Sequence, residues 1–348
     1  MIQTFSPSET LWHKRWHPLR ETWVVYAAHR NQRPWTVGKQ AIVHAHSKPY
    51  DPDCYLCAGN ARVGGIRNPD YKGIYIFEND HPVVGPLAPE VVSGSGIYRK
   101  ARAGGVAKVI CYSSRHDLTT SDMDPDALVQ IFQAWRAETQ AMAALSGIRN
   151  LLIFENKGEM VGVSNPHPHG QLYATDFTFT LNRMYMDAAR RHYQETSRDL
   201  FAEIVHEEQE FGGRILAENE NALAFVPFFA RYAYETLIFP KRKHLTMATL
   251  SDTELQDLAE VYATVIRKMD GLFGISFPYV MTINQAPFEL DYPSLYQLHW
   301  QFLPPLRQPD LKKFPAGPEI GGDTFMADTV PEEKARELQA VSVSLRQN

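Results

Sequence analysis

Two stretches of the chain carry apolar residues at the three- and four-residue spacing of a helix that buries one face. In the first, Leu128, Ile131, Phe132, Trp135 and Met142 share a side, behind Asp124 as N-cap and Pro125 at the favoured first helical position. In the second, Leu255, Leu258, Tyr262, Val265 and Met269 do the same behind Ser251 and Glu254, spaced as a capping box. Gly147 and Gly271 stand near the expected helix ends. Around each helix lie apolar runs of strand length. Val109–Tyr112 and Leu237–Phe239 precede the helices; Leu151–Glu155 with Gly170–Ala174, and Tyr279–Ile283 with Gln297–Leu303, follow them. Each leading strand ends in a basic turn with one histidine, His116 or His244.

This order of features is an internal repeat, covering Ile110–Tyr173 and Leu237–Leu303. Aligned, it sets His169 over His299 and Gln171 over Gln301, and Tyr75–Asp80 echoes Ile215–Glu220 upstream. Strands, a long helix and further strands predict an α+β fold with a mostly antiparallel sheet in two similar halves, 1–180 and 181–348. The stretch 181–208 reads as a helical connector, 82–107 as a loop rich in Gly, Pro and Ser, and Pro331–Leu345 as a final helix.

Composition narrows the class. The 348 residues are 44% apolar and 22% charged, with a net charge of −5. That balance suits a soluble globular protein and offers no basic footprint for nucleic acid or a membrane surface. No apolar run reaches membrane-spanning length and no signal peptide is evident, so a cytoplasmic location is expected. The three cysteines are Cys54, Cys57 and Cys111. Cys-x-x-Cys outside a secreted disulfide framework reads as metal or redox chemistry.

The sharpest chemical signal is Asn165-Pro-His167-Pro-His169-Gly-Gln171. Two histidines two apart on a strand share a face. A polar loop is the plain alternative, but Gly158, Gly162 and Ser164 upstream offer backbone N–H groups to an anion. A neutral imidazole is a capable nucleophile toward phosphorus, provided a neighbour fixes its tautomer; a backbone carbonyl near His167 could do so. Gln171, on the same side, would donate to a phosphoryl oxygen. Being a poor general acid, it favours a persistent covalent intermediate over hydrolysis. Cys54 and Cys57 need two more ligands for a tetrahedral zinc site, and His116 and His167 are the candidates. A redox reading is weaker, because the βαβ setting of thioredoxin-like motifs is absent. Cys111 falls within a strand and reads as core packing. Arg30 and Arg33 suit phosphate oxygens or, equally, a solvated basic turn. His44, His46, His192 and His206 read as surface residues, His13 and His17 as packing near the N-terminus.

Together these residues resemble the galactose-1-phosphate uridylyltransferases of the histidine-triad superfamily. The likeness runs through Arg30–Trp35, Asp51–Asn60, Asn68–Tyr71, Phe77–Asp80, Phe154–Gln171, Ser276–Tyr279, Ala286–Phe288 and Lys313-Phe314. It implies two histidine-triad-like halves with flanking helices and a two-step exchange. His169 would take UMP from UDP-glucose, and galactose 1-phosphate would then attack the uridylyl-histidine. Gln171 would bind the transferred phosphoryl group. Asn156, Gly162 and Ser164 match positions near the nucleotide phosphates, and Asn79 and Asp80 positions at the nucleoside. Arg30, Arg33, Lys313, Phe314 and Glu319 match positions near the sugar phosphate, some supplied by the partner in a homodimer. Cys54, Cys57, His116 and His167 match one zinc site, expected to support the fold rather than the chemistry.

The departures from the family matter. A second metal is common in it, but the matching positions are Tyr185, Asn284, His299 and Gln301, so that metal is expected to be absent and His299 to be hydrogen-bonded instead. His81 stands where relatives are often aromatic, and Pro318 where tyrosine is common, which leaves the hexose open. A same-fold transferase or phosphorylase acting on another nucleotide sugar such as ADP-glucose, or on another sugar 1-phosphate, is the near alternative. A histidine-triad hydrolase would carry a third histidine at position 171, and a zinc-stabilised binding module would be indifferent to loss of His169.

Overall fold

The computed structural model describes residues 12–28, 48–91, 96–163, 165–288 and 295–343. Both amphipathic stretches are helices: α1, Pro125–Ala143, and α4, Asp252–Phe273. The Asp124 side chain accepts the Ala127 N–H at 2.7 Å, and Ser251 and Glu254 form the reciprocal capping box. The glycine that ends α4 is Gly274, at φ 67°, where only glycine is unstrained. Gly271 lies inside the last turn rather than past it, and Gly147 lies beyond the C-cap Ala144 of α1. The connector is two helices, α2 (Thr180–Thr196) and α3 (Leu200–Phe211), with Asp199 capping the second. The final helix, α5, covers Pro331–Gln339 and is shorter than the sequence suggests.

The strands are β1 His13–His17, β2 Thr22–Tyr26, β3 Tyr75–Glu78, β4 Gly105–Cys111, β5 Asn150–Lys157, β6 His169–Thr175, β7 Ile215–Glu218, β8 Ala222–Phe225, β9 Thr236–Pro240, β10 Tyr279–Asn284, β11 His299–Leu303, β12 Leu306–Gln308, β13 Leu311–Lys312 and β14 Met326–Ala327. Among the described residues nine of them form one sheet, in the order β3-β4-β6-β5-β10-β11-β9-β8-β7, antiparallel throughout. Strand β14 pairs in parallel with β2, so the C-terminal tail returns to the N-terminal hairpin.

The register makes the repeat physical. Val109 lies opposite Gln171 and Gln171 opposite Phe154 in the first half; Leu237 lies opposite Gln301 and Gln301 opposite Thr282 in the second. Phe154 faces Thr282 across the seam where β5 meets β10. The two halves are therefore related by an approximate two-fold axis through that pair, which places His169 and His299 in equivalent positions.

Alternation along β5 decides what each face of the sheet carries. Leu151, Ile153, Glu155 and Lys157 are buried, whereas Leu152, Phe154 and Asn156 are partly exposed on the other side. The buried face packs under α1 and α4 as one cluster that includes Ile110, Phe132, Leu172, Tyr262, Ile283 and Trp300. Phe132 stacks on Trp300 at 5.6 Å, so the cluster crosses the seam. On the opposite face the halves differ. In the second half α2 and α3 cover Leu223, Phe225, Leu237 and Phe239. In the first half the cysteine-bearing segment covers Val109 and Cys111 and leaves the ends of β5 and β6 open.

Candidate active site and metal centre

Strand β6 begins at His169, so the two motif histidines are not strand neighbours on one face as the spacing alone suggests. His167 lies before the strand and turns its ring into the cysteine segment. His169 opens into a pocket of about 130 Å3 lined also by Tyr55, Phe154, Asn156, Gly162, Asn165 and Gln171. Gly170 allows this geometry, because a Cβ there would stand 2.1 Å from the Tyr112 hydroxyl and 3.0 Å from the Phe154 carbonyl. Gly162, at φ 86°, turns the backbone of the opposite wall.

The His169 Nδ1 is 2.7 Å from the His167 carbonyl. A carbonyl only accepts, so Nδ1 carries the proton and Nε2 keeps its lone pair. Burial pushes the His169 pKa below that of an ordinary histidine, against the pull of this carbonyl, and the ring is neutral at pH 7. Gln171 is held on its oxygen side: Oε1 accepts from Tyr173 Oη at 3.2 Å and from Asn79 Nδ2 at 3.4 Å.

Beside the pocket, one ligand atom each from Cys54, Cys57, His116 and His167 lies within 4.8 Å of the other three, all four residues buried. Cys57 Sγ is 3.6 Å from Nδ1 of both histidines. His167 Nε2 is 2.9 Å from the Ser113 carbonyl, so it donates there and leaves Nδ1 as the donor atom facing the thiols. The Cys54–Cys57 turn is clamped by Asn68, whose amide donates to the carbonyls of Tyr55 and Cys57. Burial pushes the Cys57 thiol up to about 11 and the His167 imidazole down to about 4. The histidine is thus neutral and ready to bind, whereas the thiol is a latent ligand that ionises as a cation arrives. These donors are a two-sulfur, two-imidazole set that could hold a metal ion. Cys111, buried on the neighbouring strand, is not one of the four.

The remaining candidates distribute unevenly. Asn156 and Gly162 line the pocket with His169 and Gln171. Asn79 reaches it through Gln171, and Asp80 faces Arg62, which lies over the Phe77 ring at 3.7 Å. Lys313 is paired with Glu319 at 2.6 Å and donates to the Met326 carbonyl; Phe314 is half exposed beside Lys312. Those three do not line the His169 pocket. Arg30, Arg33 and Ser164 lie outside the described residues, as do His44 and His46.

At the positions matched to a second metal, His299 sits in an aromatic stack with Tyr185 at 5.8 Å and Phe239 at 5.1 Å, and its Nδ1 is 2.9 Å from the Gln297 carbonyl. Gln301 donates to Glu235, and Asn284 to Thr282. Sequence reasoning missed three residues. Asn165 lines the pocket, accepts the His167 N–H at 3.0 Å and donates to Cys54 Sγ at 3.3 Å, so it ties the two sites together. Tyr55 closes one wall, and Tyr173 supports Gln171. Asn165 was visible as the first residue of the histidine motif; Tyr55 and Tyr173 carried no pattern of their own.

Comparison with known proteins bears on this arrangement. Residues 3–178 match the family model described as galactose-1-phosphate uridyl transferase, N-terminal domain, and residues 184–347 match its C-terminal domain. The galactose-1-phosphate uridylyltransferase of Haemophilus influenzae is 35% identical over 346 residues, covering 98% of this chain and 97% of that protein. A solved uridylyltransferase structure superposes with a TM-score of 0.76 at 28% identity, covering 94% of this chain and 97% of that one. An ADP-glucose phosphorylase from Arabidopsis thaliana reaches a TM-score of 0.77 at 21% identity, covering 95% and 99%, and shares the fold. With both family models matched in tandem along nearly its whole length, the chain belongs to the galactose-1-phosphate uridylyltransferase family.

Proposed function

We propose that this chain exchanges UMP between UDP-glucose and galactose 1-phosphate, with His169 as the group that carries the nucleotide. The observation that carries the reading is the 2.7 Å contact from His169 Nδ1 to the His167 carbonyl, which frees Nε2 in a pocket beside Gln171. Nε2 attacks the α-phosphorus of the donor, an N–P bond forms, and the P–O bond to glucose 1-phosphate breaks. The ring keeps its Nδ1 proton and becomes cationic, and the His167 carbonyl stabilises that charge. Gln171 Nε2 donates to a phosphoryl oxygen. In the second step an oxygen of galactose 1-phosphate attacks the same phosphorus, the N–P bond breaks and the imidazole returns neutral. Asn156 and the backbone at Gly162 form the wall facing the phosphates.

The 35% identical relative bears the uridylyltransferase name, which favours UMP over AMP as the group carried. Zn2+ is the ion proposed for Cys54, Cys57, His116 and His167; bound there it would fix the segment that bears His167 and take no part in the bond changes. The reading places the boundary between halves near residue 180, supported by matches that break between 178 and 184. It includes a cytoplasmic setting, where thiols stay reduced, and a homodimer in which Lys313, Phe314 and Glu319 serve a neighbouring pocket.

The test is to mix the protein with radiolabelled UDP-glucose or ADP-glucose, quench in alkali and map the modified residue by mass spectrometry. A nucleotidyl adduct on His169 from UDP-glucose, discharged by galactose 1-phosphate and lost in His169→Ala, is expected. Label from ADP-glucose alone would move the reading to the adenylyl alternative, and no adduct on His169 from either would end it.

A further inference from the structure

We propose that Tyr173 is a positioning residue for the transfer, whose hydroxyl, together with Asn79, keeps Gln171 Nε2 and not Oε1 turned toward the phosphoryl group. This rests on the proposed role of His169 and Gln171 and assigns the residues that make Gln171 a donor.

A carboxamide is nearly symmetric in shape, so packing alone does not choose which end faces the pocket. Here hydrogen-bond polarity makes the choice, starting from a group that cannot be reversed. The backbone N–H of His81 is only a donor, and it is 2.8 Å from Asn79 Oδ1. Asn79 must therefore present Nδ2 on its other side, where it meets Gln171 Oε1 at 3.4 Å. That contact is long, and one long bond holds an amide weakly. The Tyr173 hydroxyl can donate or accept, and with the direction set by Asn79 it donates to the same oxygen, at 3.2 Å, and gives Gln171 its second anchor. Tyr173 lies two residues along β6 from Gln171, on the same face, and its ring is braced edge-on against Phe154 at 5.0 Å. With two donors on Oε1, the amide nitrogen is left for the ligand. Reversed, Gln171 would set a carbonyl oxygen against a phosphoryl oxygen and its NH2 against the NH2 of Asn79. Burial raises the Tyr173 phenol above its ordinary value, so the hydroxyl stays protonated across the working pH range.

Tyr173→Phe removes the hydroxyl and keeps the ring on Phe154, so it separates positioning from packing. The measurement is the single-turnover rate of nucleotide transfer to His169, in the wild-type background and in Gln171→Ala. The expected result is a fall of about five- to tenfold in the first background, the worth of one neutral hydrogen bond. KM for the donor and the melting temperature should hold, and the Gln171→Ala background should show almost no further fall. An equal fall in both backgrounds makes Tyr173 merely structural and overturns the proposal, as does an unchanged rate in the wild-type background. A neutron crystal structure of Tyr173→Phe, which shows the amide deuterons, reads the orientation of Gln171 without turnover. A carboxamide spread over two orientations supports the proposal, and one fixed as before overturns it. If the wild-type protein takes no nucleotide at all, the transfer reading fails first, and the crystal result still says whether Tyr173 holds Gln171.

Discussion

Gly170 has no room for a methyl group. In Gly170→Ala the new Cβ would stand 2.1 Å from the hydroxyl of Tyr112, a residue buried under the sheet. Overpacking of this kind costs about 1–3 kcal/mol and shifts the backbone on which His169 and Gln171 stand. We expect a melting temperature lower by a few degrees and a large loss of transfer, both partly restored by adding Tyr112→Phe. Wild-type behaviour of Gly170→Ala alone would show that the strand relaxes freely. Gly162→Ala is a contrasting case: no atom lies within 4 Å of its Cβ position, but φ is +86°, so its cost is backbone strain of about 1–2 kcal/mol. Glu155 raises a different issue, being buried between the hydroxyls of Tyr262 and Tyr279. Burial pushes its carboxyl up to about 7, against the pull of Lys157. Between the unfolded value near 4.5 and about 7 the folded chain keeps a proton that the unfolded chain has lost, so stability declines as pH rises through that window. Melting temperatures from pH 5 to 8 should fall less steeply in Glu155→Gln than in wild type; parallel curves would remove Glu155 as the cause. The histidine motif was legible in sequence because its chemistry is local. Asn165, Tyr55 and Tyr173 were not singled out, because what they contact is set by the fold rather than by spacing.

Elements follow the same division. The two long helices were readable from their caps and apolar stripes, which are properties of neighbouring residues. Their ends were less so: Asp-Gly-Leu-Phe-Gly at 270–274 offers two glycines, and the choice of Gly274 is made by the backbone that completes the last turn. The break between α2 and α3 was missed, although Asp199 is a conventional N-cap, because the polar faces on both sides of it read as continuous. The Cys54–Cys57 segment is an element of another kind, with little regular backbone structure and an order that depends on four donors meeting. Because the Cys57 thiol is pushed up to about 11, removal of a bound ion leaves that thiol protonated and takes away the bonds that would join all four donors, leaving the hydrogen bonds of Asn68 and Asn165 to hold the segment. Chelation is expected to lower the melting temperature by at least about 5 °C and to be reversed by Zn2+ with release of protons. His169→Ala should leave that temperature unchanged. Loss of turnover on chelation with no loss of stability would show that the ion belongs to the chemistry and not to the fold.

At the scale of the whole molecule, the repeat in sequence and the approximate two-fold of the sheet are the same fact, yet the two halves have taken opposite courses. The face that holds the pocket in the first half is filled by α2 and α3 in the second, and His299, the counterpart of His169, is enclosed by Tyr185, Phe201, Phe239 and Tyr296. Its burial pushes the imidazole down to about 4, so it sits there uncharged. What the sequence could not convey is that the halves share one core. Phe132 of α1 touches Tyr262 of α4 and stacks on Trp300 of β11, and β5 pairs with β10 along six residue pairs. At the far side, Arg15 and Arg214 converge on Glu332, which joins the N-terminal hairpin, the turn that leads into β7, and α5 through buried charges. A core continuous across the seam cannot melt half by half without exposing Phe132, Ile283 and Trp300 together. The chain is therefore expected to unfold in a single transition, seen at the same temperature by tryptophan fluorescence, far-ultraviolet circular dichroism and calorimetry. Phe132→Ala should lower that one transition by about 3–5 kcal/mol without splitting it. Two resolved transitions, only one of them moved by Phe132→Ala, would mean that the seam is an interface between independent domains despite the continuous sheet.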